Sequence, residues 1–278
     1  MAQLRDRLEP FRRAGRRIGL VPTMGALHEG HLSLVRASKA ECAVTLVSIF
    51  VNPSQFGPNE DLAAYPRTLA ADLERLASCD VDLVLAPAAD EVYRPGHATW
   101  VEVGAVAEPL EGQIRPAHFR GVATIVLKLL LMTRADVAFF GQKDYQQTLV
   151  VRRMVADLNV PIEIRVCPIF READGLAMSS RNAYLTAAAR RRATVLWQSL
   201  KAARQMTAEA ERDTAAIARR MREVLLAAGP LEIDYVALVD PETLEPVATV
   251  AHPTLAALAV RIDGTRLIDN CILEGTEK

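Results

Sequence analysis

The chain has 278 residues, half of them hydrophobic and 24% charged, with 33 Lys and Arg against 34 Asp and Glu. That length suits a large core and two domains, and a net charge of -1 excludes a general attraction to nucleic acid or to anionic membrane. An anionic substrate must therefore be met by a local basic site. Cys42, Cys79, Cys167 and Cys271 are scattered and form no C-x-x-C, which fits core thiols of a reducing compartment rather than a disulfide framework or a zinc site. No segment has the length of a membrane span and no apolar leader precedes the Arg-rich start, so the expected location is the cytoplasm.

Residues 3–17 read as a basic amphipathic helix with Leu4, Leu8 and Phe11 inward. Ile18 to Val21 is an apolar run with the look of a buried strand, broken by Pro22 and Gly25, and from His31 the spacing of Leu32, Leu34 and Val35 becomes helical. This is a strand, a glycine-containing loop and a helix. In an open α/β sheet it sets the loop at the carboxyl end of a strand, where ligands bind, and the helix N-terminus suits an anion. His28 and His31 stand at that entrance with Gly30 between them. Three readings stay open for them: structural or solvated side chains, metal ligands short of a third partner, and phosphate contacts. Neither G-x-G-x-x-G nor G-x-x-x-x-G-K-[ST] is present, which removes the main support for dinucleotide and P-loop sites.

Ala43 to Val51 is a β-branched run expected to be a strand buried on both faces. It runs into Asn52-Pro53-Ser54-Gln55-Phe56-Gly57-Pro58, where Asn52 and Gln55 are uncharged hydrogen-bonding groups, although the loop alone reads as an ordinary turn. Arg67 to Cys79 is expected to be a helix with Leu69, Leu73 and Leu76 inward and Asp72 outward. Val81 to Ala86 is a third strand, residues 87–98 are irregular, and Trp100 to Val103 is a candidate short strand. Arg115 and His118 precede an apolar helix over Val122 to Met132, where they serve equally as an anion site or to cap and pair locally. Val137 to Phe140 is a strand ending in Gly141-Gln142-Lys143-Asp144-Tyr145-Gln146-Gln147, then a helix to Leu158. Lys143 is placed there to reach a phosphate as a point charge.

Ile162 to Ile169 is the fifth strand, after which the texture changes. A polar loop, 171–182, carries Ser179, Ser180 and Arg181. Helices follow from Thr186 to Met206 and from Asp213 to Ala228. The chain then turns to β: Leu231 to Val239, Leu255 to Ile262, an Asp263-Gly264 hairpin turn, and Thr265 to Leu273. The fold class is therefore α/β, a doubly wound parallel sheet over residues 1–169, with a smaller α+β domain over residues 170–278. Parallel topology sends the strand-end loops to one edge. The inventory there lacks a nucleophile–base pair and suits stabilising charge on a phosphoryl group, nucleotidyl transfer rather than hydrolysis.

In this order PTMGALHEGH, VNPSQFG, YPRT, HFRGVAT, GQKDYQQ, MSSRN and TRLIDN resemble the pantoate–β-alanine ligase family over nearly the whole chain. The resemblance implies a Rossmann-like, cytidylyltransferase-like fold, with His28-Glu29-Gly30-His31 as the HxGH signature and Met178-Ser179-Ser180-Arg181 as the counterpart of the KMSKS loop. It implies an adenylate route from ATP, pantoate and β-alanine, Mg²⁺ with the nucleotide, a homodimer, and a lid role for the second domain. It implies that ATP is bound by Met24, Gly25, Ala26, Leu27, His28, Glu29, Gly30 and His31, by Gly141, Gln142, Lys143 and Asp144, by Phe170, and by Met178, Ser179, Ser180 and Arg181. Within that set His31 is the implied proton donor, and His28, Lys143, Ser179, Ser180 and Arg181 are the implied phosphate contacts. Gln55 and Gln147 are the implied pantoate ligands, with Gln55 also near β-alanine, and Asp72 is the implied organiser of Mg²⁺. Phe170 and Ala117 depart from the family pattern. Two other classes stay open: a nucleotidyltransferase that leaves the nucleotide on its product, and a non-catalytic nucleotide-binding module.

Overall fold

The computed structural model describes residues 2–58 and 60–275, in two compact units, Met1–Ile169 and Phe170–Lys278. In the first unit helix α1 (Ala2–Arg13) leads into strand β1 (Ile18–Thr23). The helix ends earlier than the amphipathic pattern predicts, because the chain turns at Gly15 with φ +65°. Helix α2 (Glu29–Glu41), strand β2 (Val44–Ile49), helix α3 (Leu69–Ala77), strand β3 (Leu83–Leu85) and the single turns α4 (Ala89–Val92) and α5 (Glu111–Ile114) follow. Helix α6 (His118–Thr133), strand β4 (Val137–Gly141), helix α7 (Tyr145–Asp157) and strand β5 (Glu163–Cys167) complete it. Trp100 to Val103, a candidate strand by composition, is irregular; the Val101 amide donates to Thr124 Oγ1 at 3.0 Å rather than to a neighbouring strand.

The five strands are all parallel, in the order β3-β2-β1-β4-β5. Their side chains alternate between two cores. Leu20, Leu46 and Ala138 pack with Leu8 of α1 and with Val122, Ala123 and Val126 of α6. Val21, Val47, Val137 and Phe139 pack on the other face with Leu32 and Val35 of α2 and Leu76 of α3. Burial on both faces explains the continuous apolar runs of β1, β2 and β4. Because β1 pairs with β2 on one side and β4 on the other, the chain winds outward in both directions from β1. The loops after β1 and β4 thus flank the topological switch point, the place where such sheets open a crevice.

The second unit has helices α8 (Ala187–Ala193), α9 (Val195–Ala208) and α10 (Thr214–Ala227) and an antiparallel sheet β6-β7-β8 (Glu232–Val239, Thr254–Ile262, Thr265–Leu273). The helical stretch read from 186 to 206 is broken at Thr194. Leu196 and Leu200 of α9 and Ile217, Met221 and Leu225 of α10 bury against Leu258 and Val260 of β7. The β7–β8 turn has φ of +47° at Asp263 and +81° at Gly264, the left-handed pair that an Asp-Gly hairpin requires.

Candidate active site

The β1 loop is held by a carboxylate from α3. Asp72 is 1% exposed, while Leu69 and Leu73 are 45% and 42% exposed. Of the three leucines expected inward only Leu76 is buried; helix α3 is turned so that Asp72 faces in with it and Leu69 and Leu73 face out. The reason is hydrogen bonding: Asp72 Oδ1 accepts from the Leu27 amide at 2.8 Å, and Oδ2 accepts from the Ala26 amide at 3.0 Å and from Thr68 Oγ1 at 3.1 Å. Three donors make the burial of this charge tolerable, and Leu76, one turn on, supplies the apolar contact. The Ala26 and Leu27 amides are thereby committed to Asp72, and Ala26 is held at φ +49°. Asp72→Asn places an amide NH₂ against one of these N–H groups. We expect a loss of ~2 kcal/mol in unfolding free energy, read by denaturant melts.

His28 is the N-cap of α2, with the rings of His28 and His31 4.0 Å apart between centroids. The His28 amide donates to His31 Nδ1 at 3.3 Å. That bond assigns Nδ1 as acceptor, so the neutral ring carries its proton on Nε2. Burial, together with His28, lowers the His31 pKa to about 3; Asp144 opposes the shift and Lys143 adds to it. The free site thus holds a neutral imidazole with an Nε2–H donor at a helix N-terminus. The β4 loop lies beside the β1 loop because β4 pairs in parallel with β1, and Lys143 and Asp144 are near enough there to act on the His31 ring. Lys143 Nζ lies 3.6 Å from Asp144 Oδ1 and its side chain is 20% exposed. Glu29 turns outward and pairs with Arg36 at 2.9 Å. Met24, Gly30, Gly141 and Gln142 are partly exposed along these two loops, and Gly25 is buried.

The β2 loop forms a single turn, Pro53–Gln55, docked on α6. The Gln55 carbonyl accepts from His118 Nδ1 at 2.8 Å and from Arg115 at 3.4 Å, and Arg115 also forms a two-point pair with Glu60 at 2.7 and 2.6 Å. Arg115 faces His118 Nε2 at 3.1 Å, and a guanidinium only donates, so His118 is a neutral Nδ1–H tautomer. Burial first, and then Arg115, lowers its pKa to about 4. Arg115 and His118 are thus a brace for Gln55. Gln147 sits partly exposed in the first turn of α7. Its neighbour Gln146 is buried and ties down the segment before α5: it accepts from the Glu111 amide at 3.0 Å and donates to the carbonyls of Val106 at 2.9 Å and Pro109 at 2.7 Å. Sequence reasoning gave Asn52 only a general hydrogen-bonding place in the β2 loop and gave Gln146 no role of its own. An Asn at a strand end three residues before a Gln was the one available signal.

In the second unit, Ser179 caps the turn Ser180–Tyr184, its Oγ accepting from the Arg181 amide at 3.3 Å. The segment carrying it is tied by Asn182, which donates to Glu172 at 2.9 Å and to the Ala177 carbonyl at 3.1 Å. Arg171 pairs with buried Asp269 at 2.6 Å and lies 3.9 Å from the Trp197 ring centroid. The Phe170 carbonyl accepts from the Met178 amide at 3.0 Å, and the Phe170 side chain is 38% exposed.

A parallel sheet in this order, with a two-histidine helix entrance at its switch point, defines a Rossmann-like α/β protein. The family model described as Pantoate-beta-alanine ligase matches residues 1–272, and the chain belongs to that family. It is 57% identical over 256 residues to the pantothenate synthetase of Roseiflexus sp. strain RS-1, covering 92% of both chains. It is 52% identical over 274 residues to that of Moorella thermoacetica, covering 99% of this chain and 97% of the relative. Among solved structures, pantothenate synthetase from Thermus thermophilus superposes with a TM-score of 0.92 at 44% identity, covering 97% and 96% of the two chains. Pantoate-beta-alanine ligase from Francisella tularensis, complexed with beta-gamma ATP and beta-alanine, superposes with a TM-score of 0.79 at 33% identity, covering 97% and 95%.

Proposed function

We propose that the chain condenses pantoate with β-alanine in two steps. The pantoate carboxylate attacks the α-phosphorus of Mg-ATP; a new O–P bond forms, the bond to the β-phosphate oxygen breaks, and diphosphate leaves. The neutral amine of β-alanine then attacks the acyl carbon of pantoyl adenylate, the C–O bond to AMP breaks, and the amine gives up a proton. A carboxylate is a poor electrophile, and adenylation supplies its leaving group. The barrier in the first step is the approach of anions, so positioning and charge stabilisation dominate.

The observation that carries this reading is the neutral His31 ring, its Nδ1 engaged by the His28 amide and its Nε2–H left to donate, with Lys143 acting on it from the neighbouring loop. His31 stabilises the departing charge and His28 and Lys143 contact the phosphates. Ser179, Ser180 and Arg181 are the candidate triphosphate ligands that the second unit carries. Met24, Gly141, Asp144 and Phe170 position the adenosine. Gln55 and Gln147 hold pantoate, and Gln55 also meets β-alanine. The divalent cation enters with the nucleotide. Among the described residues no group of three or more His, Cys, Asp or Glu forms a metal cage, and the Asp72 carboxylate is turned onto the β1 loop, so it does not fit as the holder of the ion and no step runs through it. A cytoplasmic homodimer belongs to the same proposal; among the described residues no helix is long and apolar enough to cross a membrane.

Purified protein with Mg-ATP, pantoate and β-alanine is expected to form AMP and pantothenate in equal amounts, and neither acid alone sustains AMP release. AMP release that ignores β-alanine, or turnover with no AMP, contradicts the reading. Gln55→Ala is expected to raise the pantoate KM about tenfold while ATP affinity stays nearly intact; equal losses of both remove Gln55 from the acid site.

A further inference from the structure

Asn52, at the end of β2, is 1% exposed, and main-chain groups fix its orientation. The Gly121 carbonyl only accepts, so the Asn52 atom facing it at 3.2 Å is Nδ2; the Ser54 amide only donates, so the atom facing it at 3.4 Å is Oδ1. Oδ1 also accepts from Ser54 Oγ and from the Tyr93 hydroxyl, each at 2.9 Å. Nδ2 has one proton left, and it goes to the Gln55 side chain at 3.0 Å. The Gln55 atom there must be Oε1, which leaves Nε2 as the end of the amide turned to a ligand. Gln55 therefore offers donors, and what it reads is an acceptor oxygen, a carboxylate or hydroxyl.

Tyr93 lies far from the strand-end loops in sequence, just after α4, and its ring is firmly held. It is stacked on Trp100 with centroids 6.1 Å apart and meets His97 edge-on at 5.0 Å and Phe50 at 6.3 Å. Lys128 Nζ is 5.4 Å from its centroid. Burial raises its pKa above the ordinary value, which keeps the hydroxyl protonated as a donor. We infer that Tyr93, acting through Asn52, is a positioning residue that fixes the Gln55 amide with its NH₂ toward the hydroxy-acid substrate. This rests on the reading that Gln55 holds pantoate.

The test is a double-mutant cycle on pantoate and ATP KM in the wild type, Tyr93→Phe, Gln55→Ala and the double variant. Phe keeps the ring packing and removes only the hydroxyl. Tyr93→Phe is expected to raise the pantoate KM about three- to tenfold, with the ATP KM nearly unchanged, and to add nothing once Gln55 is alanine. Ser54→Ala, which removes the other hydroxyl donor to Asn52, is expected to move the same constant. Gln55→Glu is expected to lose at least as much pantoate affinity as Gln55→Ala, because it sets an oxygen where the substrate presents one. An equal Tyr93→Phe effect in the Gln55→Ala background, a parallel shift in ATP KM, or tolerance of Gln55→Glu overturns the inference and leaves the acid site at Gln55 standing. An unchanged pantoate KM in Gln55→Ala itself overturns both.

Discussion

Replacing His31 with alanine is expected to slow single-turnover formation of the adenylate by ~10²-fold or more, the cost of removing a positioned charge stabiliser. His31 has two jobs that a plain deletion confounds. Its Nδ1 accepts the His28 amide and so closes the first turn of α2, and its Nε2–H is the donor proposed for the phosphates. His31→Asn separates them, because an amide oxygen can stand where Nδ1 stands and nothing replaces Nε2. Asn as slow as Ala assigns the loss to the donor; recovery with Asn assigns it to the helix cap. The pH profile gives an independent reading. With a pKa of about 3, His31 is neutral across the working range, so kcat/KM for ATP shows no limb from this ring between about pH 5 and 8. The lowered pKa also has a sign for stability. Between the ordinary histidine value and about 3 the unfolded chain binds the proton and the native ring does not, so the contribution is present above that window and is lost as pH falls through it.

Gly121→Ala is expected to be the most damaging small substitution around the proposed acid site. A Cβ at Gly121 would lie 2.2 Å from the Ser54 carbonyl oxygen, 2.5 Å from its carbon and 2.7 Å from Gln55 Cα, and all three are backbone atoms. No rotamer relieves that overlap, so either α6 or the turn Pro53–Gln55 must move. The Gly121 carbonyl also accepts from Asn52, so the displacement reaches the group that orients Gln55. We expect a stability loss of about 1–3 kcal/mol, as for overpacked cores, and a rise of ~10² in the pantoate KM, as misplaced positioning residues give. ATP affinity should change little, since the β1 loop is braced separately by Asp72. A pantoate KM that stays put while stability falls would show that the turn recovers its place and that Gln55 does not depend on this docking.

The strands and the site loops were legible because each carries a local signal. β1, β2 and β4 are continuous apolar runs, and His28, His31, Gln55, Lys143 and Gln147 fall where such runs give way to polar loops. What was not legible depends on partners distant in sequence. The period of α3 was readable but its phase was not. A carboxylate buried against main-chain amides leaves no apolar signature, and Leu69 and Leu73 drew the inward face to the wrong side. Trp100 to Val103 looked strand-like because aromatic and β-branched residues favour strands, whereas Trp100 stacks on Tyr93 and meets Arg120. Arg115 and His118 stood between an anion site and local capping and pairing; the structure pairs Arg115 with His118 and Glu60, and adds the Gln55 carbonyl, a partner distant in sequence. The need for glycine at 121 exists only once Ser54 is brought against α6.

The most direct test of the account is ATP–diphosphate exchange, followed as the passage of labelled diphosphate into ATP with pantoate present and β-alanine absent. A separate adenylation step at the His31 loop predicts exchange that requires pantoate and falls by the same ~10² factor in His31→Ala. Pantothenate formed on adding β-alanine, with no exchange in its absence, would contradict an independently formed adenylate.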